Sequence, residues 1–545
     1  MMKKSTCFSN PEEGSRKRDH RLAWLDGPSG LYVILGLSCL LKLALLIVTV
    51  DKTPNADGIR YLRAAQELAS GNLEGSLRIY PMPVLPALMA GVHLLVPDWA
   101  LSGRILSSAF TVLAQIPLYK ITQGWFGCRA AFFACLAFAL QPFGNEMSTL
   151  IYRGPGHLLF FAWALRAMLR ALEHPSTTRL AAAFLLSILP AAFRVEGALL
   201  IPFFPLSVMG LALKDKRFRG RPVLLSAVWV LVPAAALFHV WHVSPQSLWI
   251  NRMDDLKRMA LEIWHLKFLD QYKIIYEHLR GMESLGPLPT QDQNFGEIAR
   301  HFLWLIYLIG LIQTVARTLY PVFLIPLAVG LRSARKNLYQ GYTLSLWLAY
   351  FLLLYIQLIQ KDCTGERFVW TCAFLLYPWV GHGISSIIAW KPSADFGRLL
   401  KGALLLLLVA LPLSKLPKTV EKPDLVAAKA GQWLRQSPCR NLRILGNDYR
   451  IPLSAGIPFD YKNRKDALYW HFDPEDKDYS TVERLAQRTK RDLILLKLPN
   501  KKSTKPPPMS HYRLITTLKD ERRVVFVFGT PEAALLCSSG SEPGR

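Results

Sequence analysis

Blocks of about 20 mostly apolar residues recur along this chain, and no other feature restricts its fold so strongly. Leu31 to Val50 is the first of them. A helix of that length covers a hydrocarbon layer of about 30 Å, and only a helix satisfies its own backbone there. Hydrophobic residues make up 51% of the 545, gathered in these blocks rather than in the short alternations of a soluble core. An ordinary soluble domain is thereby excluded. The first block follows a polar leader and runs to Asp51 without a small-residue cleavage pattern, which reads as a retained span rather than a signal peptide.

A net charge of +26 suggests nucleic acid in a soluble chain. Here, however, the basic residues cluster at alternate span ends: Lys3 to Arg21, Arg166 to Arg179, Lys214 to Arg221, Arg332 to Lys336 and Lys391 to Lys401. The intervening segments are balanced or acidic, with six basic and eight acidic residues between Ser244 and Ala299. This is the positive-inside pattern, and it puts the amino terminus in the cytoplasm. With no aromatic-interleaved basic groove, the expected surroundings are membrane lipids and not nucleic acid.

The fold class expected is an α-helical polytopic membrane protein with about eleven spans and a small C-terminal α/β domain. Spans are predicted near 31–50, 99–119, 127–144, 155–172, 179–193, 197–213, 223–243, 318–331, 342–360, 367–390 and 397–414. Residues 1–30 form a cytoplasmic leader, 31–418 the membrane domain with outer loops 51–98 and 244–300, and 419–545 an extracytoplasmic domain. His301 to Gln313 reads as an interfacial helix, because a crossing there would put Arg332 to Lys336 on the wrong side. In the tail, 423–436 has helical periodicity, 442–445 and 493–496 read as buried strands, and 512–517 with 524–528 as a hairpin. Ser480 to Glu483 has the form of a capping box. Cys439 and Cys537 both lie in this tail, where an oxidising compartment permits a disulfide.

No Walker loop, HExxH, nucleophile elbow or cysteine metal cluster is present, so candidates must be polar residues at outer span ends. Asp57, in Asn55-Ala56-Asp57-Gly58-Ile59-Arg60-Tyr61, is the first; a helix N-cap is its structural alternative. Glu74 is a loop acid that also suits metal or acceptor binding. Arg194 and Glu196 interrupt an apolar run, where a charge needs a partner, a cavity or a turn between spans. His382 reads as structural.

These residues bring a family into view. The order of features resembles the lipid-linked glycosyltransferases of the GT-C fold, in the branch of protein mannosyltransferases and the bacterial aminoarabinose transferase. The resemblance is carried by Asn-Ala-Asp-Gly-Ile-Arg-Tyr-Leu and Ala-Gln-Glu-Leu-Ala-Ser-Gly-Asn in the first outer loop and by Tyr80-Pro81-Met82-Pro83-Val84-Leu85-Pro86. It continues in Phe193-Arg194-Val195-Glu196-Gly197 and in Glu366-Arg367-Phe368 followed by Leu376-Tyr377-Pro378. It covers most of the first 400 residues.

The resemblance implies transfer of a sugar from a polyprenyl-phosphate donor to a lipid, glycan or protein acceptor on the outer face. Such chemistry needs a carboxylate to take the acceptor's proton and a cation to hold the departing phosphate. By family position Asp57 is the catalytic carboxylate, with Arg60 and Tyr61 beside it as substrate residues, and Arg367, near Asp362 and Glu366, is the phosphate ligand. Many members place an Asp in the second outer loop; this chain has Asn145, Glu146, Arg153 and His157. Glu146 is then the candidate second carboxylate and Arg153 a candidate phosphate contact, while a divalent cation stays an open question. Glu74, Arg194 and Glu196 complete the substrate-binding candidates. The absence of an organelle signal favours a bacterial inner membrane. A transporter or flippase is expected to show two similar halves with broken mid-membrane helices, which are not visible. A polysaccharide ligase or polymerase would share the topology without the Asp57 motif or the proline turn.

Overall fold

The computed structural model describes residues 29–50, 54–231, 261–262, 265–284, 290–334, 337–361, 365–416, 425–457, 468–472, 479–500 and 504–538. The basic leader, Arg335, Lys336, Asp362 and much of the segment 244–300 lie outside them. The chain forms two compact units, one of residues Met1–Leu46 with Arg104–Thr419, the other of Ile47–Gly103 with Val420–Arg545.

The chain is an integral membrane protein. Among the described residues six helices are long and apolar enough to cross a bilayer: Ser29–Val48, Trp99–Leu140, Val195–Ala212, Leu338–Lys361, Glu366–Ala389 and Asp395–Ser414. A seventh candidate is the pair Leu303–Leu319 and Pro321–Ser333, bent by 93°. The difference from about eleven expected spans has local reasons. The predicted spans at 99–119 and 127–144 run into one another and are separated only at Gly127, whose φ of 84° is open to glycine because no Cβ meets the backbone. The span expected at 155–172 is the helix Gly154–Glu173, more polar than the others. The span at 179–193 becomes Thr177–Ala192, an α-helix closed by a 3-10 turn, and that at 223–243 is described only over Arg221–Leu231.

The apolar run near 301–331 also differs from expectation. Instead of an interfacial helix ending at Gln313, a helix continues from Leu303 to Leu319. Arg317 falls in its last turn, where a cation suits the negative helix end. The break comes at Tyr320, with φ 81°, just before Pro321, which has no N–H to continue the helix. Within this unit Glu366–Ala389 is central, with its residues Val369 to Gly381 buried throughout. It meets the helix Leu324–Ser333 backbone against backbone: a Cβ added to Gly330 would fall 1.9 Å from the Trp379 carbonyl oxygen, and one on Gly383 would fall 1.8 Å from that of Pro326. Small residues at helix contacts in lipid allow this close approach.

The other unit holds the helices Ala56–Ala69, Leu73–Ile79 and Val84–His93 and the C-terminal domain. That domain contains a five-stranded sheet of β1 (Ile444–Gly446), β2 (Tyr469–His471), β3 (Leu493–Pro499), β4 (Arg513–Lys519) and β5 (Arg523–Gly529), in the order β2-β1-β3-β5-β4. β1 runs parallel to β2 and β3, while β5 pairs antiparallel with β3 and β4. Side chains alternate across the strands, so Leu493, Leu495, Val525 and Val527 fill one core layer and Ile494, Leu496, Val524, Phe526 and Phe528 the other. Both expected buried strands and the expected hairpin are present. Cys439 and Cys537 form a disulfide. The capping box is not: Ser480 lies inside the helix Tyr479–Arg488, and the Glu483 carboxylate accepts the Ser510 and His511 backbone N–H groups.

Candidate active site

In the membrane unit, helix Thr177–Ile188 ends just before Pro190, and two short 3-10 turns, Leu189–Ala192 and Val195–Leu199, lead into Leu200–Ala212. Arg194 and Glu196 sit in this turn between spans, as one reading of the sequence expects, but they are not solvent-facing. Arg194 is 3% exposed and its Nη2 donates to Glu196 Oε1 at 2.8 Å, with Nε to Oε2 at 3.4 Å. The pair answers the need for a counter-charge.

Arg194 also reaches across the chain. Its Nη1 donates to the Arg367 backbone carbonyl at 2.5 Å, and its guanidinium lies 5.0 Å from the Phe368 ring centre. The exposed Arg367 guanidinium lies over the same ring at 4.9 Å. Two cations on one aromatic ring repel each other, and the Glu196 carboxylate offsets that repulsion. The structure therefore brings Arg194, Glu196 and Arg367 together around the first turn of helix Glu366–Ala389. His157, buried on Gly154–Glu173, points Nδ1 at the Pro190 carbonyl oxygen at 3.1 Å and so touches the same turn.

Glu146 is exposed on the short helix Pro142–Thr149, and Arg153 is half-buried immediately before Gly154–Glu173. Asn145, beside Glu146, is buried and accepts a hydrogen bond from Lys42. Lys42 was not among the sequence candidates. Its signal was plain, a single lysine inside an otherwise uncharged apolar helix. His382 stacks on Phe126 at 4.2 Å, in keeping with a structural role.

In the other unit, Asp57 lies in the first turn of Ala56–Ala69. The cap position belongs to Asn55, which makes no side-chain cap bond, so the reading of Asp57 as N-cap is corrected. A carboxylate in that turn suits the positive helix end, leaving its reactive role open to chemistry. Arg60 is half-buried on the same helix, and Tyr61, 2% exposed, meets Tyr80 edge-on at 4.7 Å. Glu74 pairs with Arg78 one turn on at 2.5 Å, both well exposed. Among the described residues no three His, Cys, Asp or Glu side chains gather into a cluster.

A charged network also closes the C-terminal end of β1. Arg450 meets the Asp448 carboxylate in a bidentate pair, with Nη2 at 2.6 Å from Oδ2, and Lys497 Nζ lies 2.7 Å from the same oxygen. Burial alone would push the Asp448 carboxyl up; its bonds to Arg450 and Lys497 outweigh burial and hold it down at about 2.

A model of the dolichyl-phosphate-mannose-protein mannosyltransferase family matches residues 81–249. The match spans less than half of the chain, over the stretch that includes the proline turn, Glu146, Arg153, Arg194 and Glu196, and there the resemblance read from the sequence is borne out. No curated protein matches. Among solved structures, ArnT from Cupriavidus metallidurans bound to undecaprenyl phosphate is similar at 12% identity and a TM-score of 0.42, over 96% of this chain and 100% of that one. Its apo state gives 14% and 0.41, over 93% and 98%. The arabinofuranosyltransferase AftD from Mycobacteria gives 13% and 0.45, over 91% of this chain and 41% of that one. All three TM-scores are too low to define a shared fold.

Proposed function

We propose that this protein is a membrane glycosyltransferase that moves a sugar from a polyprenyl-phosphate donor to a lipid, glycan or protein acceptor on the outer face of a bacterial inner membrane. The observation that carries this reading is the match of residues 81–249 to the mannosyltransferase model. The Cys439–Cys537 disulfide supports an exported C-terminal domain, since such bonds persist in oxidising compartments.

In the proposed reaction an acceptor oxygen bonds to the anomeric carbon as the carbon–oxygen bond to phosphate breaks, and the phosphate leaves with the electron pair. Asp57 takes the acceptor's proton, with Glu146 as the further candidate carboxylate. Arg367 meets the leaving phosphate with two parallel N–H groups, and Arg153 is a second candidate contact. Arg194 and Glu196 act one step back: they fix the backbone from which Arg367 projects.

Mass comparison of surface glycans, lipids and glycoproteins from cells with and without the protein tests the reading. A sugar lost from one of these would identify donor and acceptor together, whereas identical profiles would refute transfer. In purified protein Arg367→Lys should weaken donor binding although it keeps the charge, because the fork is lost. Unchanged donor affinity in Arg367→Ala would remove this residue from the site.

A further inference from the structure

Lys42 is the one charged residue of helix Ser29–Val48, and only 2% of it is exposed. Its Nζ donates to Asn145 Oδ1, a neutral acceptor on helix Pro142–Thr149, and no described carboxylate pairs with it. An ammonium group has three donors, and one is used here. Because the Asn145 oxygen is committed to Lys42, its amide NH2 must turn the other way; that Nδ2 is buried and has no partner. One turn earlier on the same buried stripe, Ser38 accepts from Gln115 Nε2 at 2.5 Å, and Gln115 Oε1 is likewise unpartnered.

A buried cation without a counter-ion is costly inside a membrane span, and ionisable groups kept there mark functional sites. What the cluster lacks is an acceptor carrying negative charge. Lys42 lies six residues before Val48, about 9 Å along the axis at 1.5 Å per residue. That puts it in the half of the helix nearer Val48, the end that leads into residues 51–98.

We propose that Lys42 and Asn145 form an anion site that receives the phosphate of a polyprenyl-phosphate lipid, through the ammonium and the Asn145 Nδ2 group. The ligand's identity rests on the glycosyltransferase reading; the anion site does not. In a purely structural role Lys42 would only tie its helix to Pro142–Thr149, and lipid binding would be indifferent to it.

The test measures binding of undecaprenyl phosphate to purified full-length protein in detergent, beside undecaprenol and phosphatidylglycerol. Wild type should prefer undecaprenyl phosphate to the neutral alcohol by tenfold or more, and Lys42→Met should lose at least tenfold in affinity while Lys42→Arg keeps part of it. Asn145→Asp guards against misfolding, because it gives the ammonium an internal carboxylate: its unfolding midpoint should equal or exceed wild type while its affinity falls at least tenfold. Unchanged affinity in Asn145→Asp, or in folded Lys42→Met, overturns the site. Binding of phosphatidylglycerol but not undecaprenyl phosphate, lost in both variants, would instead overturn the proposed ligand and the glycosyltransferase reading and uphold the anion site.

Discussion

Removing either partner of the Arg194–Glu196 pair strands the other charge where only 3% and 15% of the side chains are exposed. Breaking a buried ion pair from one side typically costs about 3–5 kcal/mol, so Glu196→Gln should destabilise the membrane unit by roughly that amount. Arg194→Met strands Glu196 and also deprives the Arg367 carbonyl of its 2.5 Å donor, which adds about 1–3 kcal/mol. The double variant Arg194→Met/Glu196→Gln removes both charges, so its loss should fall short of the sum of the singles by about 1–3 kcal/mol. Reversible denaturant titration in one fixed detergent measures all four proteins. Strict additivity, or a Glu196→Gln protein within about 1 kcal/mol of wild type, would refute the view that these residues form a buried, mutually dependent clamp.

The remaining predictions concern both units. Asp57→Asn should be made, inserted and thermally ordinary yet lose sugar transfer by about 100-fold or more, as expected for a general base; near-normal turnover on the true donor would leave Asp57 a helix-end residue only. The Asp448 carboxyl is held near 2 in the fold, against about 3.9 in an unfolded chain. A depressed carboxyl stabilises fully above its unfolded value and loses that stabilisation as pH falls through the folded one, so about 2 kcal/mol should vanish between about pH 4 and pH 2. Hydrogen exchange of β1 and β3 in the full chain should report it, and Asp448→Asn should remove this part of the pH dependence while weakening the domain at pH 7; the Asp520 carboxyl, which burial would raise and backbone N–H groups hold down, keeps its own share. Cys439 and Cys537 are separated by 98 residues, and for a closed loop of that size chain entropy gives about 4–5 kcal/mol. Replacing both with serine should open the C-terminal domain under conditions where wild type stays protected. Alkylation without reduction should leave both unlabelled in wild type.

The sequence was most legible where one local rule acted alone. Apolar length placed the helices at 29–48, 338–361 and 366–389 within a few residues, and short apolar runs placed β3, β4 and β5. It was less legible where a single residue decides between two outcomes. Pro321 marks a break after Tyr320 and the expected spans part before Gly127, but the 93° bend and the kink depend on φ values that tertiary packing selects. Arg194 and Glu196 were visible as costly charges, but their bond to each other and to the Arg367 carbonyl joins positions 173 residues apart. Lys42 was passed over for the opposite reason: hydropathy averages a lone lysine away, while its chemistry depends on that solitude. Asp57 shows how close neighbours mislead, since a helix that starts two residues earlier moves the cap to Asn55.

The contact between Gly330 and Gly383 has a mechanical corollary. Each helix there rests its peptide oxygen in the space where the other has no side chain, so a slip of one residue would drive a Cβ of Leu331 or Ile384 into backbone. The two helices are keyed like a tongue in a slot and must travel as one body. The 93° elbow at Tyr320 is moored in three places: its hydroxyl donates to the Leu411 carbonyl oxygen at 3.1 Å, the Tyr377 hydroxyl to that of Leu319 at 3.4 Å, and the Gln141 amide to that of Thr318. A swing of the elbow has to break these ties.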